Sequence, residues 1–176
     1  ILKAAEADGL AGQADRRSAP AVRPGEPFGV GACAVGAAVA DAVAYLHRRG
    51  FAHADLKPSN VVVGPGGAPH LIDFHLATAD PAAGARGTPA YMAPEALDAG
   101  TPGGRGEPVD PVRADVFSLA AVVFQLLTGR LPFPVAGESF AARAAAIRGK
   151  PPDLPPTVPA GVAAVLRRCL AADPAA

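Results

Sequence analysis

The sequence predicts an α+β fold, mainly helical, in which one small β-hairpin carries a loop dense in chemically capable side chains. Three observations predict it. Apolar residues at Val35, Val39, Val43 and Leu46 recur at the spacing of one helical face. Val116, Phe117, Leu119, Val122, Val123, Phe124, Leu126 and Leu127 form a second segment that is apolar on nearly every side, the pattern of a helix in the middle of a core. Between them, Val61-Val62-Val63 and His70-Leu71-Ile72 are short β-prone runs separated by the turn-forming stretch Gly64 to Pro69.

Taken in order, residues 1–27 read as an irregular start rich in Gly, Pro and charge, with a short helix around Leu10 to Arg17. The first long helix runs from about Ala34 to Arg49 and is stopped by Gly50. His53-Ala54-Asp55-Leu56-Lys57-Pro58-Ser59-Asn60 follows at once, on a loop. The hairpin turn then brings Asn60 and Asp73 to the same end of the two strands, just outside their paired ends. Residues 76–114 read mostly as loop, with a Gly/Pro-rich stretch from Gly100 to Pro108. The apolar helix spans Asp115 to Thr128 and ends at Gly129; after a Pro-rich loop from Pro151 to Pro159 comes a last helix from Val162 to Leu170. No internal repeat is present.

Composition excludes several functions. A chain of 176 residues can bury a real core, so one domain or one large lobe is expected. Its 16 basic and 16 acidic residues give no electrostatic case for nucleic acid or an anionic membrane surface. Cys33 and Cys169 lie far apart, near no second Cys or His at metal-ligand spacing, which fits a reducing, cytoplasmic setting. The longest uncharged apolar run, Phe28 to Ala40, is shorter than the roughly 18 residues a membrane span needs, and no cationic start with a cleavage site is seen. No membrane contact is expected of this segment.

The chemistry concentrates in residues 55–73, where two carboxylates, an ammonium and a carboxamide fall close together. That set is the equipment for handling a phosphate with bound Mg²⁺, since a pair of oxygen ligands at one end of a small ribbon suits a hard cation. A second motif, Gly87-Thr88-Pro89-Ala90-Tyr91-Met92-Ala93-Pro94-Glu95, follows at a spacing that argues against coincidence. Together, His53 to Asn60, Leu71-Ile72-Asp73-Phe74 and Gly87 to Glu95 resemble the C-terminal lobe of a eukaryotic-like, bacterial-type serine/threonine protein kinase. The resemblance covers roughly Val35 to the C-terminus.

The resemblance implies the following roles. Asp55 accepts or orients the proton of the substrate hydroxyl, and Asn60 holds a second Mg²⁺. Asp73, in the Asp-Phe-Gly position, binds the Mg²⁺ that bridges the ATP phosphates. Lys57 sets a positive charge near the transferring phosphate and marks Ser/Thr rather than Tyr specificity. Thr88 bonds back to Asp55 and Lys57 and helps position the substrate. Val62 floors the adenine, His53 and Phe74 stack to align the site, and Asp115 holds the catalytic-loop backbone. ATP and Mg²⁺ are the implied cofactors and a protein the implied substrate.

Plainer readings stand beside these. A lone His-x-Asp is usually a turn or a cap, and what lifts Asp55 above that is the consistent spacing of Lys57, Asn60 and Asp73. Asp115 reads equally well as the cap of its helix. His47, His70 and His75 have no evident nucleophile or metal to serve. Gly29-Val30-Gly31-Ala32-Cys33-Ala34-Val35-Gly36 mimics a phosphate-binding loop but lacks both the G-x-G-x-x-G spacing and a following Lys-Ser/Thr, so helix-packing glycines explain it better. Lys3 mimics a phosphate-anchoring lysine but lies too near Asp55 for a lobe to intervene.

The pattern also departs from the family. No glycine-rich loop, phosphate-anchoring lysine or partner glutamate is found, so the N-terminal lobe is expected to be largely absent. Residues 1–27 then read as a hinge remnant, with Glu6 to Gly9 resembling its acidic end, and residues 28–176 as the catalytic lobe of a partial kinase domain. An arginine that would follow Asp173-Pro174 and pair with Glu95 is not seen. Ala54 stands where an arginine usually grips a phosphorylated loop, and Thr78 is the only hydroxyl between Asp73 and Gly87, so phosphorylation there is expected to matter little. His75 replaces the glycine after Asp73-Phe74. The expected function is ATP-dependent phosphoryl transfer to protein Ser/Thr hydroxyls by the intact protein, the 176 residues alone being inactive. The alternative is a pseudokinase or truncated lobe acting as a binding module. A small-molecule phosphotransferase of the aminoglycoside-kinase type shares the Asp55 and Asn60 spacing but lacks a segment like Gly87 to Glu95.

Overall fold

The Val35, Val39 and Val43 stripe becomes the buried face of α1, Phe28–Arg48, in a computed structural model that describes residues 25–65, 67–80, 86–101, 109–133 and 139–172. The helix starts six residues ahead of the visible periodicity because in its first turns the large apolar residues Phe28 and Val30 face outward while the small Gly31 and Ala32 are buried. Its end is a Schellman turn. Gly50, at φ +77°, lets its own N–H reach the His47 carbonyl at 2.9 Å while the Phe51 N–H reaches Leu46 at 3.1 Å. The Leu10–Arg17 helix, Lys3, the hinge-like Glu6 to Gly9, residues 102–108 and Asp173 to Ala176 lie outside the described residues.

β1 (Val61–Val63) and β2 (Pro69–Leu71) pair antiparallel in the register Val61 with Leu71, Val62 with His70 and Val63 with Pro69. The second strand thus begins and ends one residue earlier than the β-prone run His70 to Ile72. Beyond the ladder the Ile72 N–H still bonds the Asn60 carbonyl at 2.9 Å, so Asn60 and Asp73 emerge at one end of the ribbon.

Within the segment expected to be loop lies α2, Pro94–Ala99, too short to show a period and opened by a proline at its first position. α3, Pro111–Thr128, begins four residues before the apolar run. Asp110 caps it, its Oδ1 accepting from Val112 N at 3.0 Å and Arg113 N at 3.3 Å. Asp115 is therefore not the cap; it sits one turn inside the helix with its carboxylate free for another task. α4, Phe140–Gly149, capped by the Ser139 hydroxyl, is Ala-rich and shows almost no apolar stripe, which is why its sequence gave no helical signal. α5 spans Ala160–Cys169.

Two apolar clusters meet on α3. One gathers Leu97, Phe117, Phe124, Phe133, Ile147, Leu166 and Leu170, with the Phe117 and Phe133 rings stacked at 6.0 Å. The other gathers Val35, Val39, Val43 and Leu56, against which Leu119 and Leu126 pack. By length and composition α1 and α3 are each apolar enough to cross a membrane, and the inner faces of both contribute to these clusters.

The α1–α3 contact is close at Gly36, where a Cβ would sit 2.8 Å from Val123 Cγ2. Val123 is β-branched and nearly fixed in χ1 within a helix, so it cannot swing aside. Gly36→Ala gains roughly 0.5–1 kcal/mol of helix propensity and meets an overpacking cost of roughly 1–3 kcal/mol. The clash wins: we expect a net loss near 1 kcal/mol and a Tm lower by roughly 2–4 °C. A variant melting at or above the wild-type temperature contradicts this packing.

Candidate active site

The loop after α1 is pinned from below by Asp115. This carboxylate is 1% exposed, and its Oδ2 accepts from the His53 backbone N–H at 2.7 Å while Oδ1 accepts from Ala54 N–H at 2.9 Å. His47 Nε2 lies 2.9 Å from the same Oδ2. Ala54 is thereby held at φ +66°, a conformation that costs a non-glycine residue roughly 1–2 kcal/mol. Backbone held off its minimum is a frequent mark of functional sites. From above, Gly87 at φ +107° passes so close that a Cβ would meet the Ala54 carbonyl oxygen at 2.5 Å.

Between these supports lies Asp55, 5% exposed. Lys57 Nζ donates to its Oδ2 at 2.6 Å and to Thr88 Oγ1 at 3.2 Å, while the Thr88 hydroxyl donates to Asp55 Oδ1 at 2.8 Å. Asn60 Nδ2 donates to the Asp55 carbonyl at 2.8 Å and to Oδ2 at 3.3 Å. Four of the expected site residues, Asp55, Lys57, Asn60 and Thr88, thus form one hydrogen-bonded group across 33 residues of sequence. Burial raises the Asp55 carboxyl, but the bonds from Lys57 and Thr88 and the lysine charge outweigh it, so it titrates below the usual carboxylate value.

The sign of this shift fixes a pH dependence. A carboxyl with its folded pKa below its unfolded pKa adds stability that is complete above the ordinary carboxylate range and lost as pH falls through the folded value. The urea-derived stability difference between the wild type and Asp55→Asn should therefore shift against the wild type between neutral pH and about pH 3. A difference that stays constant over that interval contradicts the assigned bonding.

Asp73 is exposed and also has positive φ, +66°. Its Oδ1 is in hydrogen-bond contact with His75 Nδ1. Val62 lies on β1 and is 47% exposed, beside Val63 and Ile72, which are also open. His53 Nε2 meets the Ile72 carbonyl at 3.1 Å, and its ring meets Phe74 edge-on with centroids 5.1 Å apart.

Two donors suit a hard cation. The Asn60 nitrogen is committed to Asp55, which leaves its Oδ1 as the atom that could serve as a ligand, and Asp73 Oδ2 is not engaged by His75. Two oxygen donors at one ribbon end fit Mg²⁺, which takes few protein ligands and completes its shell with water and phosphate. Among the described residues no three His, Cys, Asp or Glu side chains converge as a metal site of their own.

The model of the protein kinase domain matches residues 32–176. The chain belongs to the protein kinase family. It is 40% identical, over 85% of its length, to the serine/threonine-protein kinase Pkn1 of Myxococcus xanthus. It is 36% identical, over 80%, to the serine/threonine-protein kinase PknK of Mycobacterium tuberculosis. It is 33% identical, over 77%, to mitogen-activated protein kinase kinase kinase 1 of Arabidopsis thaliana. The chain spans 22%, 13% and 22% of the length of these curated relatives. It is a bacterial-type serine/threonine member of the family, and its described residues are mostly helical with one two-stranded sheet.

The structure of this kinase sequence adds residues that reading along the chain missed. His47 is one: it continues the Val39–Val43 stripe by four residues, which was the available signal that it faces inward to Asp115. His75 is another, since a histidine two positions from an exposed Asp in a turn can reach back to it. Ser118 donates to the Tyr91 carbonyl at 2.8 Å and Arg143 to the Ala90 carbonyl at 2.5 Å, together holding the segment after Thr88. No local pattern marks either. Thr78 is paired backbone to backbone with Ala52 and takes the Asp80 N–H on its hydroxyl at 3.0 Å. Burial raises the Glu95 carboxyl, and its own backbone N–H and Arg148 only partly offset that.

Proposed function

We propose that residues 28–176 form the C-terminal lobe of a kinase domain and that the protein carrying them transfers the γ-phosphoryl group of ATP to Ser or Thr hydroxyls of other proteins. The observation that carries this reading is the closed group around Asp55, in which Lys57 and Thr88 hold the two carboxylate oxygens and Asn60 holds the backbone carbonyl. Phosphoryl transfer asks for positioned charge and one well-placed base more than for covalent help.

In this reading Asp55 receives the proton of the attacking hydroxyl. A carboxyl held in its ionised form by two bonds is ready to accept that proton at neutral pH, and Thr88 fixes which lone pair points to the substrate. Lys57, anchored to Asp55, places its ammonium where the transferring group passes. Asn60 and Asp73 would hold Mg²⁺, which when bound neutralises charge developing on the phosphate oxygens. Val62, open on the ribbon face, would supply apolar surface for the adenine. The segment from Gly87 to Glu95, braced by Ser118 and Arg143, supports the protein substrate. Both cysteines are unpaired, which supports a reducing cytoplasmic site of action.

The test is phosphoamino-acid analysis after incubating the protein that carries this chain with Mg²⁺, labelled ATP and a mixed protein substrate. Label in phosphoserine or phosphothreonine is expected. Label confined to phosphotyrosine or to small-molecule hydroxyls, or none at all, overturns the proposal.

A further inference from the structure

We infer that His75 is a nitrogen ligand of the divalent cation at Asp73, making this a mixed nitrogen–oxygen site that favours Mn²⁺ over Mg²⁺. The inference rests on the reading of Asp73 as a metal ligand and deepens it.

The argument starts from the backbone. Asp73 has φ +66° and the chain turns at His75 and Leu76, so the side chains of residues 73 and 75 fold to the same side. His75 Nδ1 is in direct contact with Asp73 Oδ1, and both side chains are open, 60% and 40% exposed. A glycine at residue 75 offers nothing to a cation; the imidazole offers a second donor two residues from the first.

The spacing suits chelation. Two donors each about 2.1 Å from a metal and at right angles to one another are about 3.0 Å apart. Oδ1 and Nδ1 already touch, so a small rotation of two exposed side chains opens that gap without moving backbone. With the cation bound, the imidazole would carry its proton on Nε2 and present the Nδ1 lone pair to the metal. Mg²⁺ takes oxygen ligands and gains little from an imidazole, whereas first-row divalent metals accept one, Mn²⁺ the most weakly of the series. The same pair that burdens Mg²⁺, by occupying Oδ1, therefore serves Mn²⁺.

The test uses the purified protein that carries this chain, labelled with ¹⁵N-histidine, loaded with Mn²⁺ and a non-hydrolysable ATP analogue, and read by pulsed electron paramagnetic resonance. A ¹⁵N coupling is expected in the wild type and in His70→Gln, and its loss in His75→Gln. In competition, wild type is expected to prefer Mn²⁺ over Mg²⁺ more strongly than His75→Gly does. Mn²⁺ that binds, is released by Asp73→Asn and shows no histidine coupling overturns the inference and leaves the kinase reading intact. Mn²⁺ binding untouched by Asp73→Asn, or absent altogether, overturns both.

Discussion

Replacing Asp115 with Ala is expected to lower stability by about 3–5 kcal/mol, the cost of removing one side of a buried charged interaction. The side chain is 1% exposed and lies 61 and 62 residues from the two backbone N–H groups it satisfies, so it ties α3 to the loop carrying Asp55. With a methyl group in its place, the His53 and Ala54 N–H groups are left without an acceptor, at roughly 1–3 kcal/mol each, and His47 loses its partner. Ala54 then has no reason to stay in its left-handed conformation. Asp115→Asn should fare little better, because its NH₂ faces donors. The measurement is the urea midpoint at unchanged m-value. A loss under about 1 kcal/mol shows that the loop is held some other way.

Gly87→Ala is expected to cut phosphoryl transfer by about a hundredfold or more while affecting the fold less than Asp115→Ala. At φ +107° an L-residue is strained whatever the space around it, and the new Cβ would lie 2.5 Å from the Ala54 oxygen and 3.5 Å from Asp55 Oδ1. Both neighbours belong to the catalytic loop, whose backbone cannot yield without moving Asp55. A displacement near 1 Å at reacting groups is enough for a loss of about a hundredfold. The check is kcat for wild type and variant, with circular dichroism confirming the fold. Wild-type kcat would mean that the 87–88 turn does not abut the catalytic loop during turnover.

These two positions show what a linear reading reaches. The hairpin was legible because Val61 to Val63 and the Gly/Pro turn are local signals, and α1, α3 and α5 because their periodicity or apolar density is. α4 was not, because Phe140, Arg143 and Ile147 are too few apolar or amphipathic points among alanines to mark a face. Asp55, Lys57 and Asn60 stand within six residues and were visible together. The contacts of Asp115 with His47, of Gly87 with Ala54 and of Arg143 with Ala90 join residues 33–68 positions apart. Such pairs are created by tertiary packing, and nothing in local sequence encodes them. The same holds for His75, where a backbone turn, not spacing alone, brings the imidazole onto Asp73.

The central claim is that Asp55 is the base of a phosphoryl-transfer site. It is tested most directly by steady-state kinetics of Asp55→Asn in the protein that carries this chain. The amide keeps the shape and the bond from Thr88 but cannot take a proton, so kcat should fall by about 10²–10⁴-fold with the KM for ATP little changed. An unchanged kcat, or a loss that appears only in the ATP KM, would contradict the account.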